Sequence, residues 1–165
     1  MSAPPTLQDP FLSHDDALNF LALLAASKAG NRNEIPVGAI LSAPTGTILA
    51  EDCNQVVAAN DPLGHAELRA IVRAARLVGN YRLTGCRLVS SLQPCPTCTN
   101  AIRSVRLAQW NHLAARPEEK PTEQSAFSCH HPAPQVSDSH PSTHPGIDFS
   151  TWSVALLRFF FEPRR

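Results

Sequence analysis

The chain has 165 residues, of which 43% are hydrophobic, and its formal net charge is zero. This length suits one ordinary domain with a real core, and the balanced charge gives no bulk basic field that would predict nucleic-acid binding. The Pro-rich start at 1–12 lacks the features of a signal peptide, and no apolar run is long enough to span a bilayer. Five cysteines, an odd number, favour a reducing, cytoplasmic setting and a metal or catalytic use over a disulfide framework.

The N-terminal half predicts a helix followed by a β-hairpin. Ser13 and Asp16 have the spacing of a capping box, and the apolar stretch behind them predicts a well-buried helix that ends near Gly30. Two short apolar runs, 35–42 and 47–52, flank a turn that contains proline and glycine. This arrangement predicts a hairpin.

Strand and helix patterns alternate through the second half. The predicted elements are a helix at 65–80, a strand at 86–92, a helix at 94–106, a strand at 107–113 and a closing helix at 151–165. In the first of these, helical spacing predicts a buried face of Leu68, Ile71, Val72 and Ala75. The segment 116–148 is rich in Pro, Ser and His and predicts an irregular region. We therefore expect a flexible segment at 1–12 and a single domain over 13–165.

Two pairs of residues at predicted helix starts carry the chemistry. His65 and Glu67 begin one helix, Cys95 and Cys98 begin another, and in an α/β sheet such starts open onto one crevice. One imidazole and two thiolates make three zinc ligands and leave the fourth position open, as in catalytic sites. Glu67 lies close enough to a water at that position to shuttle its proton. The pattern H-x-E followed by P-C-x-x-C is the signature of zinc deaminases.

Other interpretations of these residues remain open. The two cysteines also fit a redox C-x-x-C motif or a structural zinc site, although the first needs no H-x-E partner and the second needs a fourth protein ligand. Cys53 and Cys86 are expected to be plain buried thiols. The cysteine and histidines of the irregular segment predict a flexible loop more than a second metal site: Cys129, His130, His131, His140 and His144.

The chain resembles the cytidine/deoxycytidylate deaminase superfamily, and is most like its bacterial tRNA adenosine deaminase branch. The stretches that carry the resemblance are NEIPVGAIL (33–41), CNQ (53–55), NDPLGHAEL (60–68), GNYRLTGCRL (79–88) and LQPCPTC (92–98). It covers 14–107 well and 144–165 more loosely. The resemblance implies a three-layer α/β/α fold with a central five-stranded mixed sheet, and a homodimer.

The resemblance also implies the roles of single residues. It implies one zinc ion per chain on the imidazole and the two thiolates named above, with Glu67 as the catalytic proton shuttle. The Asn54 side chain would contact the base, and the backbone of Ala66 and the ring of Pro94 would line its pocket. The implied reaction is hydrolytic deamination of adenosine to inosine in RNA, at the wobble position of a tRNA whose anticodon loop is the partner.

Some residues depart from the family pattern. Gln93 stands where the family usually has Glu, Thr99 and Asn100 follow the second cysteine in place of small residues, and no Gly-rich RNA-binding loop is recognisable in 108–134. Two alternatives therefore stand beside the RNA interpretation. One is a deaminase of a free base such as guanine or cytosine, and the other is a degenerate, non-catalytic zinc-binding module.

The closing helix bears on the choice between these substrates. Its cations could bind phosphates, or could simply interact favourably with the helix dipole at the C-terminal end: Arg158, Arg164 and Arg165. The aromatic run from Phe159 to Phe161 is expected to make core or dimer contacts more than a base-stacking platform.

Overall fold

The computed structural model describes residues 13–116 and 147–162. In chain order its elements are α1 (His14–Gly30), β1 (Gly38–Ser42), β2 (Ile48–Cys53), α2 (Ala66–Val78), β3 (Arg87–Leu92), α3 (Pro96–Ser104), β4 (Gln109–Ala114) and α4 (Phe149–Phe161). No helix in this part of the chain is both long and apolar enough to cross a membrane. The expectations for 1–12, for the cysteine and histidines of the irregular segment, and for Arg164 and Arg165 lie outside the described residues.

The first helix begins and ends where the sequence predicts. The hydroxyl of Ser13 accepts the backbone N–H of Asp16 at 3.1 Å, and the Asp16 carboxylate accepts the backbone N–H of Ser13 at 3.1 Å. Both halves of the predicted capping box are therefore present. The helix ends at Gly30, which confirms the predicted boundary.

The sheet is mixed, as expected, and has the strand order β2-β1-β3-β4. β1 pairs antiparallel with both β2 and β3, whereas β3 and β4 are parallel. The strand predicted at 107–113 is confirmed as β4. Residues 13–116 and 147–162 hold four strands in place of the expected five, and the fifth strand stays a prediction.

Helices pack against both faces of the sheet. Ile40 and Val89 join a cluster with residues of α1 and α4, whereas Leu41 and Leu88 join a cluster with residues of α2 and α3. Neighbouring residues of a strand point to opposite faces of the sheet, so the two clusters lie on opposite faces.

The prediction for the buried face of α2 is wrong in part. Of the four expected residues only Ile71 is fully buried, and Val72 is 46% exposed. The buried stripe is instead Ala66, Glu67, Ala70, Ile71 and Ala74. Small alanine side chains let the helix backbone approach the sheet closely, which leaves the larger apolar residues on the outer face.

The strand ends that lead to the predicted site lie at the same end of the sheet. The pairing of Gly38 with Cys53 places the start of β1 beside the end of β2. The parallel pairing of Leu92 with Ala114 brings the ends of β3 and β4 to the same edge. Asn54, which follows β2, and the cysteine turn, which follows β3, therefore emerge together.

Candidate active site

The two helix starts hold their first residues in extended backbone conformations. His65 is the N-cap of α2 and Cys95 is the N-cap of α3, and neither side chain caps its own helix. Proline occupies the first helical position of α3, where its fixed φ angle favours the start of a helix. Both cap side chains are thus available for contacts with each other and with Cys98, one turn into α3.

The three side chains converge on one point. The Nδ1 atom of His65 lies 3.5 Å from the Cys95 Sγ and 3.4 Å from the Cys98 Sγ, and the two sulfur atoms are 3.6 Å apart. In a tetrahedral site with Zn–S bonds of about 2.3 Å and Zn–N bonds of about 2.0 Å, two sulfurs are about 3.8 Å apart and nitrogen and sulfur about 3.5 Å. The spacing therefore fits zinc, and these residues are a group that can hold a metal ion.

The two thiols are electrostatically coupled. The hydrogen bond between the two sulfur atoms lowers the pKa of Cys95 to about 4 and raises the pKa of Cys98 above its ordinary value. One sulfur of the pair is therefore a thiolate at neutral pH, and a thiolate is the form that binds zinc.

Glu67 lies in the first turn of α2 and is only 4% exposed. Burial raises the pKa of its carboxyl group above the ordinary value, while hydrogen bonds, including one with Cys98, oppose that rise. A carboxyl group that holds its proton more firmly is better matched to proton transfer near neutral pH. The position beside the ligand cluster is the one that the sequence predicts for a proton carrier.

A pocket of about 1130 Å³ opens at this cluster. Its walls include His65, Glu67 and Asn54, so three of the predicted site residues share one cavity. Ala66 and Pro94 are buried beside the ligands but are not among the described residues that line the pocket. Their predicted contacts with a base stay a prediction.

Glu34 is a pocket residue that the sequence interpretation missed. Its carboxylate is 1% exposed and accepts a hydrogen bond from the Asn54 amide nitrogen at 3.3 Å. The sequence did contain a signal for this residue, namely a carboxylate between the end of a helix and an apolar strand. A carboxylate beside a buried strand needs hydrogen-bond donors, which predicts a structural or binding role.

Gln93 closes the edge of the sheet beside the cysteine turn. Its side-chain oxygen accepts the backbone N–H of Arg116 at 3.0 Å, and its own backbone N–H donates to Ala114 at 2.8 Å. An amide oxygen accepts this bond as a carboxylate would.

The last helix forms the remaining wall of the pocket. Arg158 and Phe160 from α4 line it, together with Arg116, which lies two residues beyond the end of β4. Phe159 and Phe161, by contrast, are 80% and 44% exposed, so of the expected core or dimer contacts the core contact is wrong for these two residues, and the dimer contact stays a prediction.

A model of the cytidine and deoxycytidylate deaminase zinc-binding region matches residues 12–114, a span that contains Asn54, Glu67 and all three candidate ligands. The chain belongs to the cytidine and deoxycytidylate deaminase family. The chain is therefore a zinc-dependent hydrolytic deaminase, and His65, Cys95 and Cys98 form a group that could hold the zinc ion.

Relatives of this deaminase with two different substrates are similar to it. The tRNA-specific adenosine deaminase of Agrobacterium fabrum is 35% identical over 150 residues, which are 88% of this chain and 92% of the relative. The guanine deaminase of Bacillus subtilis is 37% identical over 91 residues, 55% of this chain and 58% of that enzyme. A structure from work on A-to-I editing by tRNA:A34 deaminases at the wobble position has a TM-score of 0.66 at 33% identity, over 75% of this chain and 98% of the other.

Proposed function

We propose that this deaminase converts adenosine to inosine in RNA, at the wobble position of a tRNA. The observation that carries the proposal is the buried Glu67 beside three zinc-ligand atoms, in one pocket with Asn54. The near full-length similarity to a tRNA-specific adenosine deaminase supports RNA as the substrate class. In this proposal His65, Cys95 and Cys98 hold the zinc ion.

The reaction replaces a C–N bond with a C–O bond. Zinc, when bound, would act as a Lewis acid that makes a water molecule nucleophilic near neutral pH. Glu67 takes a proton from the attacking water and delivers it to the ring nitrogen of the base. It then carries the second proton of that water to the leaving amine, which departs as ammonia, and the ring carbon becomes a carbonyl. The raised pKa of Glu67 suits both uptake and delivery.

The walls of the pocket support a substrate that carries phosphates. Arg116 and the exposed Arg158 come from different elements and line the same cavity as Asn54 and Glu67. Such guanidinium groups can bind the phosphates on either side of a base that is flipped into a pocket.

A free-base deaminase is the second candidate. The similarity to a guanine deaminase and the zero net charge favour it. A non-catalytic zinc-binding module is the third, and the buried Glu67 beside the ligands argues against it.

The wider organisation is also proposed. We infer a homodimer, since α2 leaves Val72 and Leu77 exposed and the family resemblance implies one. Helix contacts on both sheet faces support the three-layer arrangement, and the family resemblance alone implies the fifth strand and a single domain over 13–165. A cytoplasmic location follows from the proposed tRNA substrate.

Ammonia release from zinc-loaded protein tests the activity. The panel comprises a tRNA anticodon hairpin, the same hairpin with guanosine at the wobble position, single-stranded DNA, and the free bases adenine, guanine and cytosine. We expect turnover on the adenosine hairpin and a loss of about 10²- to 10⁴-fold in Glu67→Gln with zinc still bound. Glu51→Gln, which removes a carboxylate paired with Lys28, is the matched control.

Turnover confined to a free base would replace the RNA proposal with the second candidate. Silence across the panel from protein with a full equivalent of zinc would leave the non-catalytic module. Unchanged turnover in Glu67→Gln would remove Glu67 from the mechanism.

A further inference from the structure

Glu34 is a buried carboxylate in the wall of the active-site pocket. It lies between the end of α1 and the start of β1, and only 1% of it is exposed. Neither the zinc cluster nor the proton transfer to the base uses it. A buried charge of this kind is costly unless several donors satisfy it, so its partners identify what it does.

Three N–H donors converge on this carboxylate. The Asn54 Nδ2 atom donates to Oε2 at 3.3 Å, and the backbone nitrogens of Val57 and Ala58 donate at 3.3 and 2.7 Å. Two of the three bonds therefore hold the loop that leads from β2 towards His65, and the third holds the side chain of Asn54.

The contact with Asn54 decides which way its amide faces. Both carboxylate oxygens accept N–H groups, so the amide nitrogen must face Glu34, because the reverse orientation would oppose oxygen to oxygen. One N–H of the amide is thereby occupied. Its second N–H and its Oδ1 atom remain for a substrate in the pocket.

We propose that Glu34 is a positioning residue that orients the Asn54 amide for recognition of the base. The proposal rests on the proposed function, in which Asn54 contacts the base. Glu34 itself touches no reacting atom and acts through Asn54. Asn54 therefore presents its amide donor and acceptor to the base in a fixed orientation. This lowers the entropic cost of ordering the amide when the substrate binds.

A double-mutant cycle separates this role from a purely structural one. Glutamine at position 34 keeps the size of the side chain, but its NH₂ group would face one of the present donors. We expect Glu34→Gln to lower kcat/KM by about 10- to 100-fold, the range for a hydrogen bond to a charged group. In the Asn54→Ala background we expect the same change to cost less than about 3-fold, because residues that act through one another are not additive.

Two controls guard the interpretation. Glu51→Gln removes a surface carboxylate and should leave kcat/KM unchanged. Zinc content and Tm of every variant report whether the loop held through Val57 and Ala58 has collapsed. Equal losses from Glu34→Gln in both backgrounds would overturn the proposal, since the carboxylate would then act independently of Asn54.

A readout without turnover keeps this test separate from that of the proposed function. The side-chain NH₂ signal of Asn54, identified by its loss in Asn54→Ala, should shift in the ¹⁵N–¹H spectrum of Glu34→Gln and stay in place in Glu51→Gln. An unshifted signal would overturn the proposal. If the signal shifts but the wild-type protein deaminates nothing, the orienting contact stands and the proposed function fails.

Discussion

At the scale of single residues, the candidate ligand atoms are already close enough together to bind one metal ion. The imidazole and the two sulfurs are already at the mutual distances of a tetrahedral zinc site, between 3.4 and 3.6 Å. Glu67 is held beside them by burial. Because of this arrangement, metal binding requires little rearrangement. We therefore expect the loss of a single ligand to lower the affinity for zinc.

Cys98→Ser should abolish tight zinc binding. A serine hydroxyl is not ionised at neutral pH and is a poor zinc ligand, so we expect metal analysis to fall from one equivalent per chain to a small fraction of one. Cys86→Ser, which changes a buried thiol outside the cluster, should keep its zinc. Because zinc binds the folded state, a chelator should lower the Tm of the wild-type protein. The Tm of Cys98→Ser should not respond, and a full equivalent of zinc in that variant would contradict the assigned ligand set.

At the scale of the elements, the close approach of α1 to β1 sets the geometry of the sheet edge. Gly38 begins β1, and its backbone N–H donates to the buried hydroxyl of Ser91 on β3 at 3.1 Å. A methyl group at Gly38 would overlap the carbonyl oxygen of Ala22 and lie 2.5 Å from the Ala26 nitrogen. Helix and strand are therefore in contact through their backbones, with no room for a side chain.

Gly38→Ala should destabilise the protein. Overpacking of this kind costs about 1–3 kcal/mol, because the backbone of α1 must shift to admit the methyl group. The measurement is the free energy of unfolding from urea titration. Gly30→Ala is the matched control, since its added carbon would lie 3.5 Å from Pro36, an ordinary contact. Equal effects of the two substitutions would show that α1 yields easily at Gly38.

At the scale of the whole molecule, the pocket is assembled from distant parts of the chain. Glu34 precedes β1, His65 starts α2, and Arg158 comes from the last helix. That helix is joined to the sheet by the Ser153 hydroxyl, which donates to the Ser91 carbonyl at 2.6 Å in a buried position. The closing helix thus brings a cation to a pocket whose chemistry lies elsewhere in the chain.

Arg158→Gln tests whether that cation binds phosphate. We expect the salt dependence of hairpin binding to lose about one unit of slope, because one phosphate contact releases about one counterion. Turnover of any free base should not change. Arg76→Gln, at an exposed position of α2 outside the active-site pocket, is the control. An unchanged slope in Arg158→Gln would remove this residue from the RNA-binding surface.

Most of the secondary structure, and the three side chains that could hold a metal ion, could be predicted because their signals are local. The capping box of Ser13 and Asp16 lies within one helical turn, and the two cysteines share the first turn of α3. H-x-E and C-x-x-C each place two side chains at the start of a single helix, where the spacing alone brings them to one end. Helix boundaries and ligand types therefore follow from short stretches of chain.

The sequence by itself determined the alternation of helices and strands, and it singled out the three residues that form a group able to hold a metal ion. Only the tertiary structure decided which face of α2 is buried, that Glu34 holds Asn54, and that Arg158 reaches the active-site pocket. These features depend on contacts between residues far apart in the chain, and such contacts leave no periodic pattern in the sequence. On α2 the close approach of helix and sheet selects small residues for burial, and it overrides the larger apolar side chains that hydrophobic spacing favours.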